Sequence, residues 1–429
     1  MNPFRSSGGA RTFFAAVAAV MFLIAGRIPA AAQASPAAHS DIFPVAPHSD
    51  VSIEWWYLYA HLTTKSGHRY AVVTSFFRFG NAQAMKDASG ATHQPQPQSH
   101  YMIYAVTDET DQTHKTYSLA DRNSLRMLQQ LAALALMANP SNKQASKLLA
   151  LASENRFPPP TQLIDGACHV GDDPNFGAVY GKIGSLKAEP RFANTFHLNL
   201  GGSGTPHVDL TFVGAKPPMY VGGDGNTGVY VPTDMKYVSL TRCNVTGTID
   251  DGNGPETVAS AQGWFDHQWG DTWTTTSVGW DWWGVQLADG RDILFFRQRH
   301  MDTGEIFSPM ATIEDASGNL TVTRNITFTP DPASVWLSPR TGIRYPLNWS
   351  VGLPDQGLTL DISPVMDDQE MPVMASGGAI WEGSVKVDAY AGLPGNVDTN
   401  GPVKAIPGVG YQELVGYASP VVADQLSKP

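Results

Sequence analysis

Three short strings in this 429-residue chain set acid–base side chains among a concentration of indoles. They are Glu54-Trp55-Trp56-Tyr57, then Gly263-Trp264-Phe265-Asp266-His267-Gln268-Trp269-Gly270-Asp271, then Gly279-Trp280-Asp281-Trp282-Trp283-Gly284. If each is an extended strand, alternation sorts its residues onto two faces. Phe265, His267 and Trp269 then share one face, and Trp264, Asp266 and Gln268 the other. Glu54 falls with Trp56, Leu58 and Ala60. Asp281 falls with Trp283, Val285 and Leu287, an otherwise apolar face that should point inward. A desolvated carboxyl resists ionisation, so the pKa of Asp281 is expected to rise. A carboxylic acid that stays protonated at neutral pH is what acid-initiated chemistry needs. Protonating an isolated alkene leaves a carbocation, which indole faces stabilise, and a histidine can position or deprotonate water.

The site this predicts is a barrel lumen walled by indoles. Asp281 is its proton donor and His267 its water-positioning base. Trp269, Trp56 and Trp283 are the walls that stabilise the cation, and Asp266 is a further catalytic candidate. Glu54, Trp55, Tyr57, Trp264 and Trp280 complete the substrate-binding set. The ligand is an apolar, lipid-like small molecule, and no cofactor or metal is expected.

The same residues allow structural roles. Tryptophans in strands commonly plug a core. Asp266 and His267 could be an exposed hydrogen-bonded pair capping a strand end, and Glu54 could pair with Arg78 or Arg69. Other site classes find less support. There is no H-E-x-x-H and no paired C-x-x-C, and a metal held by His267 with Asp266 and Asp271 would have only one histidine. Gly-x-Ser-x-Gly is absent, and Gly201-Gly202-Ser203-Gly204 reads as a turn. The glycine-rich stretch 222–228 lacks the following Lys-Ser or Lys-Thr of a phosphate loop.

The positioning elements follow from composition and pattern. With 42% hydrophobic and 16% charged residues, 41 Gly and 31 Pro, the chain suits many short strands joined by turns. Residues 53–62, 70–79, 101–107, 197–199, 208–213, 237–249, 262–269, 279–287, 292–299, 379–387 and 411–417 read as strands. Between residues 121 and 155, Leu125, Leu128, Leu131 and Leu134 recur at helical spacing. Asn139-Pro140 resembles a helix start before Leu148, Leu149 and Leu151. This predicts a helical hairpin inserted in a β domain, packed on an outer wall in preference to acting as a lid.

At the amino terminus, Arg5 and Arg11 precede the apolar run 13–25 and the A-x-A site Ala32-Gln33-Ala34. Residues 1–34 therefore read as a signal peptide, with Ser35 opening a periplasmic or secreted mature chain that keeps no membrane span. Losing three arginines and no acid takes the formal net charge from −11 to −14. An acidic surface repels phosphate backbones, so no nucleic-acid partner is expected. Cys168 and Cys243 are the only cysteines, and whether they pair is left open by the sequence.

These strings also carry a resemblance. Glu54-Trp55-Trp56-Tyr57 resembles the opening of the lipocalin-like carotenoid hydratase (hydroxyneurosporene synthase) and AttH-like family. Asp266-His267-Gln268-Trp269-Gly270 looks like its D-H-x-W-G motif, and Gly279-Trp280-Asp281-Trp282-Trp283 with Gln286-Leu287 is similar to its G-W-D-W strand. Trp381-Glu382-Gly383 and Gly410-Tyr411-Gln412-Glu413-Leu414 with Gly416-Tyr417 look like its closing strands. The resemblance implies an all-β fold of two lipocalin-like β-barrel domains packed together, with a pocket at or near their junction. The expected division is 35–305 (helical insert 121–155) and 306–429. It further implies that His267 and Trp269 act in water addition. It also implies a tyrosine and an aspartate downstream; Asp292 lies in that region, with no tyrosine beside it. The activity expected is that of a hydratase or cyclase on an isoprenoid or polyene-type substrate. A non-catalytic carrier of a lipid or secondary metabolite, transport-associated in the family's sense, and a secreted hydrolase are the alternatives.

Overall fold

The computed structural model describes residues 45–426 apart from 81–84, 87–91, 94–96, 172–174, 189–193, 228–234, 272–277, 374–377 and 393–404. Residues 1–34, expected to be a signal peptide, lie outside the described residues. The strands that carry the site are numbered in chain order: β1 (Ile53–Thr64), β2 (Arg69–Phe79), β3 (Ser99–Asp108), β4 (Met235–Asp250), β5 (Glu256–Gly270), β6 (Val278–Leu287), β7 (Asp292–His300), β8 (Ala379–Ala391) and β9 (Ile406–Leu414).

Among the described residues two large curled sheets dominate, beside two small two-stranded sheets. The first has 13 strands, and its central order is β3-β2-β1-β5-β4. The second has 10 strands, with β7-β6-β9-β8 at its centre. The pairs within both central runs are antiparallel. Curling brings distant strands together. Trp56 of β1 meets Phe176 of Phe176–Tyr180 at 5.1 Å between rings, and Phe295 of β7 meets Phe328 of Thr327–Pro330 at 6.3 Å. The fold is thus all-β with two lipocalin-like half-barrels and a helical insert, as expected. The sheets divide between Gly270 and Val278, so β6 and β7 pair within the second sheet.

Alternation fills three apolar cores. The lumen of the first sheet holds Trp56, Leu58 and Phe265, and that of the second holds Trp283, Val285 and Leu287. A third core lies between the sheets, joining Tyr57, Tyr59 and Trp264 to Trp282, Ile380 and Tyr411. The central strands are therefore covered on both faces. Gly284 lets the sheets approach: a Cβ there would stand 2.7 Å from the Trp282 ring and 3.1 Å from the Tyr59 hydroxyl, which itself donates to the Gly284 carbonyl at 2.9 Å.

The insert is a helical hairpin, α1 (Arg122–Ala138) and α2 (Lys143–Ser153). Leu125, Leu128 and Leu148 join the inter-sheet core, so the hairpin packs on the outer wall of the first sheet. Asp121 caps α1 by accepting from the Ser124 N–H, and Asn142 caps α2 by accepting from the Ala145 N–H. Asn139 closes α1 instead of opening α2, because Asn142 lies nearer the start of α2 and supplies its cap. The two cysteines are free thiols. Among the described residues no helix is long and apolar enough to cross a membrane.

Candidate active site

Between the sheets, the third core opens into a cavity of about 170 Å³. A single water needs only about 10–15 Å³ by the same measure, so the space is ligand-sized. Its walls are the outward rows of both sheets. From the first come Trp55 and Tyr57 of β1, Ser75 and Phe77 of β2, Tyr101 of β3, Tyr237 of β4, and Asp266 and Gln268 of β5. From the second come Trp280 and Trp282 of β6, Phe296 and Gln298 of β7, Ile380 and Glu382 of β8, and Glu413 of β9. Within each strand these positions differ by two, as the strand period requires. Strand register aligns them sideways: Ser75, Tyr57, Asp266 and Ser239 form one row, and Phe296, Trp282, Glu413 and Glu382 another.

Asp266 is buried against this cavity, and three side chains donate to it. The Tyr237 hydroxyl does so at 2.7 Å, the Trp264 indole N–H at 2.6 Å and the Ser239 hydroxyl at 2.5 Å. The Trp282 N–H donates in turn to the Tyr237 oxygen at 3.1 Å. Burial outweighs these bonds and pushes the Asp266 carboxyl up to about 7.

Glu382 and Glu413 face each other across β8 and β9. Glu382 is buried and Glu413 half-buried, and two like charges at such a site resist joint ionisation. Burial, then the neighbouring Glu413 charge, holds Glu382 well above the carboxylate range, while the Tyr57 hydroxyl donates to it at 2.7 Å. Burial also raises Glu413, to about 7, against the opposing hydrogen bond from Trp280. The cavity thus holds three carboxyls among aromatic walls, each held above its ordinary value, Asp266 and Glu413 near neutrality.

Several candidates from the sequence stand elsewhere. Asp281 was expected to be a neutral acid. Burial would raise it, but Arg299 and Arg297 overcome burial and hold it below its ordinary value. Arg297 Nε lies 2.7 Å from its carboxylate, Arg299 grips the other oxygen, and the Tyr417 hydroxyl donates at 2.9 Å. The group points into the second lumen as an ion pair, not a proton donor. Trp283 belongs to that lumen core, its N–H donating to Gln412.

His267 and Trp269 face away from the cavity. His267 is buried against Glu54, with Nε2 at 2.9 Å from the carboxylate, and packs on Trp56 and Trp269. Trp269 stacks on His48, and Trp56 is a core plug. Glu54 does not line the cavity. Burial would raise its pKa, but His267, His48 and Arg78 bring it down to about 2. The pairing with Arg78, at 3.0 Å, matches one of the two partners anticipated for it. Asp292 is likewise occupied, by Lys216 at 2.8 Å and Arg242 at 2.6 Å. Trp264 supports Asp266 from behind. Of the sequence candidates, Asp266, Trp55, Tyr57 and Trp280 line the cavity.

Glu382, Glu413, Tyr237 and Trp282 went unselected from the sequence. The available signal was a lone glutamate in each of two closing apolar strands, Trp381-Glu382-Gly383 and Gln412-Glu413-Leu414. For metals, His48, Glu54 and His267 form one group with ligand atoms within 4.8 Å of one another, and His100, Asp121 and Cys168 form a second. In the first, Arg78 already occupies the remaining carboxylate oxygen of Glu54.

Comparison with known proteins places this architecture. A family model described as AttH-like matches residues 37–140 and 177–417. The dehydratase asqC of Emericella nidulans is 28% identical over 175 residues, 39% of this chain and 49% of that protein. The match thus spans about half the length of that curated relative. Among solved structures, an AttH protein from Nitrosomonas europaea superposes with a TM-score of 0.61 at 21% identity, covering 91% of this chain and 98% of that one. Kievitone hydratase from Nectria haematococca superposes at 0.59 and 16% identity, covering 87% and 91%. At these identities the superpositions establish the shared fold.

Proposed function

Because the chain belongs to the AttH-like family, we propose that it is a hydratase- or dehydratase-type enzyme that adds water to, or removes it from, an apolar isoprenoid- or polyene-like substrate held between its two sheets. The observation that carries this reading is the gathering of Asp266, Glu382 and Glu413 in one aromatic cavity, each carboxyl held above its ordinary value. Carboxyls raised in this way can serve as acid and base near neutral pH. Relatives bearing the names dehydratase and kievitone hydratase support the reaction class.

In the hydration direction Glu382, held toward its protonated form by burial and the neighbouring Glu413, gives its proton to an alkene carbon. The π bond becomes a C–H bond and a carbocation. Trp55, Trp280 and Trp282 present aromatic surface to that cation. Asp266, kept partly ionised by its three donors, accepts a proton from the water whose oxygen closes the C–O bond. Proton return from Asp266 to Glu382 completes the turnover, and dehydration is the same path reversed. Each acid–base group is worth about 10²–10⁴-fold in rate. Removal of residues 1–34 and action outside the cytoplasm belong to the same proposal. Amino-terminal sequencing of the exported protein should begin at Ser35.

The test is incubation of the mature protein with apolar polyenes and tertiary allylic alcohols in heavy-oxygen water, read by mass spectrometry. Labelled alcohol or dehydrated alkene from the native protein, falling at least about 100-fold in Asp266→Asn, is the expected result. Substrates recovered bound but unchanged would sink the enzyme and leave a carrier.

A further inference from the structure

The cavity is unbalanced in charge. Nine of its 20 lining residues are aromatic and three, Asp266, Glu382 and Glu413, are carboxyls. Among the described residues, no lysine, arginine or histidine lines it. The basic groups nearby along the strands are turned away: Arg297 and Arg299 are committed to Asp281, and Arg78 and His267 to Glu54. The other titratable groups facing the space are the phenols Tyr57, Tyr101 and Tyr237. Phenols add no positive charge, and the faces of their rings are electron-rich.

An aromatic box with buried carboxyls on its floor selects for cations. We propose that this cavity binds apolar organic ammonium ions in preference to neutral molecules of the same shape. The positive nitrogen would lie among Asp266, Glu382 and Glu413, and its hydrocarbon substituents against Trp55, Phe77, Trp280 and Trp282. This deepens the functional reading above and rests on it in one respect: the site that stabilises a carbocation during water addition should hold a stable cation of similar size. Binding requires the carboxyls to ionise, so it releases protons near neutral pH and strengthens as pH rises.

The experiment pairs benzyltrimethylammonium with neopentylbenzene, its neutral carbon isostere, by titration of intrinsic tryptophan fluorescence. At pH 8 the cation should bind at least 10-fold more tightly, and this preference should shrink below pH 6. The triple variant Asp266→Asn, Glu382→Gln, Glu413→Gln, which removes every cavity carboxyl, should lose the preference, and its cooperative thermal unfolding should report an intact fold. Equal binding of the pair, stronger binding of the neutral compound, or no binding of either overturns the proposal. The two readings fail separately. Selective cation binding without label from heavy-oxygen water leaves this one standing and removes the hydratase. Label without cation preference does the reverse.

Discussion

Two aspartates on neighbouring strands show how little residue type alone decides. Asp266 and Asp281 are both wholly buried and both sit in tryptophan-rich strings. What separates them is the cross-strand neighbour. Arg297 lies directly opposite Asp281, whereas Asp266 has Tyr57 and Ser239 on either side, neither of which carries a charge. Opposite behaviour on mutation follows. Asp281→Asn strands Arg299, buried and left without its carboxylate, and should cost about 3–5 kcal/mol in denaturant unfolding. Asp266→Asn should not destabilise at pH 8. With its folded pKa raised from 3.8 to about 7, Asp266 favours the folded state most below pH 4, and that contribution is lost as pH climbs through 7. The asparagine variant escapes the loss and gains at most about 4 kcal/mol at pH 8, while catalysis collapses. A stable, active Asp281→Asn protein would refute the ion-pair assignment.

At the scale of paired strands, β8 and β9 impose the proximity of Glu382 and Glu413. Their register sets the two carboxyls opposite each other, Glu382 buried and Glu413 half-buried. The charge on Glu413 contributes to holding Glu382 protonated, so Glu413→Gln should let Glu382 ionise at lower pH. The alkaline limb of the pH–rate profile, which reports loss of the acid's proton, should therefore move to lower pH. An unmoved or upward-shifted limb would mean that Glu382 is not the acid. The strands themselves were legible from β-branched and aromatic runs, and so was the helical hairpin between residues 121 and 155. The hairpin's internal boundary was not. Asn139-Pro140 imitates a helix start, but capping is decided by which side chain reaches a free N–H, and that is Asn142.

Over the whole molecule, the cavity belongs to neither sheet alone. Tyr57, Tyr59 and Trp264 of the first sheet are buried only because Trp282, Ile380 and Tyr411 of the second cover them. A fragment ending at Asp271 should expose this aromatic face. It should bind an apolar dye strongly and unfold without a cooperative transition, as followed by fluorescence and circular dichroism. Native-like cooperative unfolding of the fragment would show that the inter-sheet core is dispensable.

The sequence by itself determined the β character of the chain, its family resemblance, and which side chains share a face. Period-two alternation is a local property, so Asp266 with Trp264 and Gln268, and His267 with Trp269, could be sorted before any fold was known. The choice of face was tertiary. Hydropathy marks a buried face only by contrast with an exposed one, and in β1, β5 and β6 the lumen covers one side and the opposing sheet the other. With both sides apolar, the lumen looked like the site and the junction did not. Likewise the charge state of each acid depended on partners brought beside it by strand pairing: Arg297 and Arg299 for Asp281, and a glutamate for a glutamate at β8 and β9.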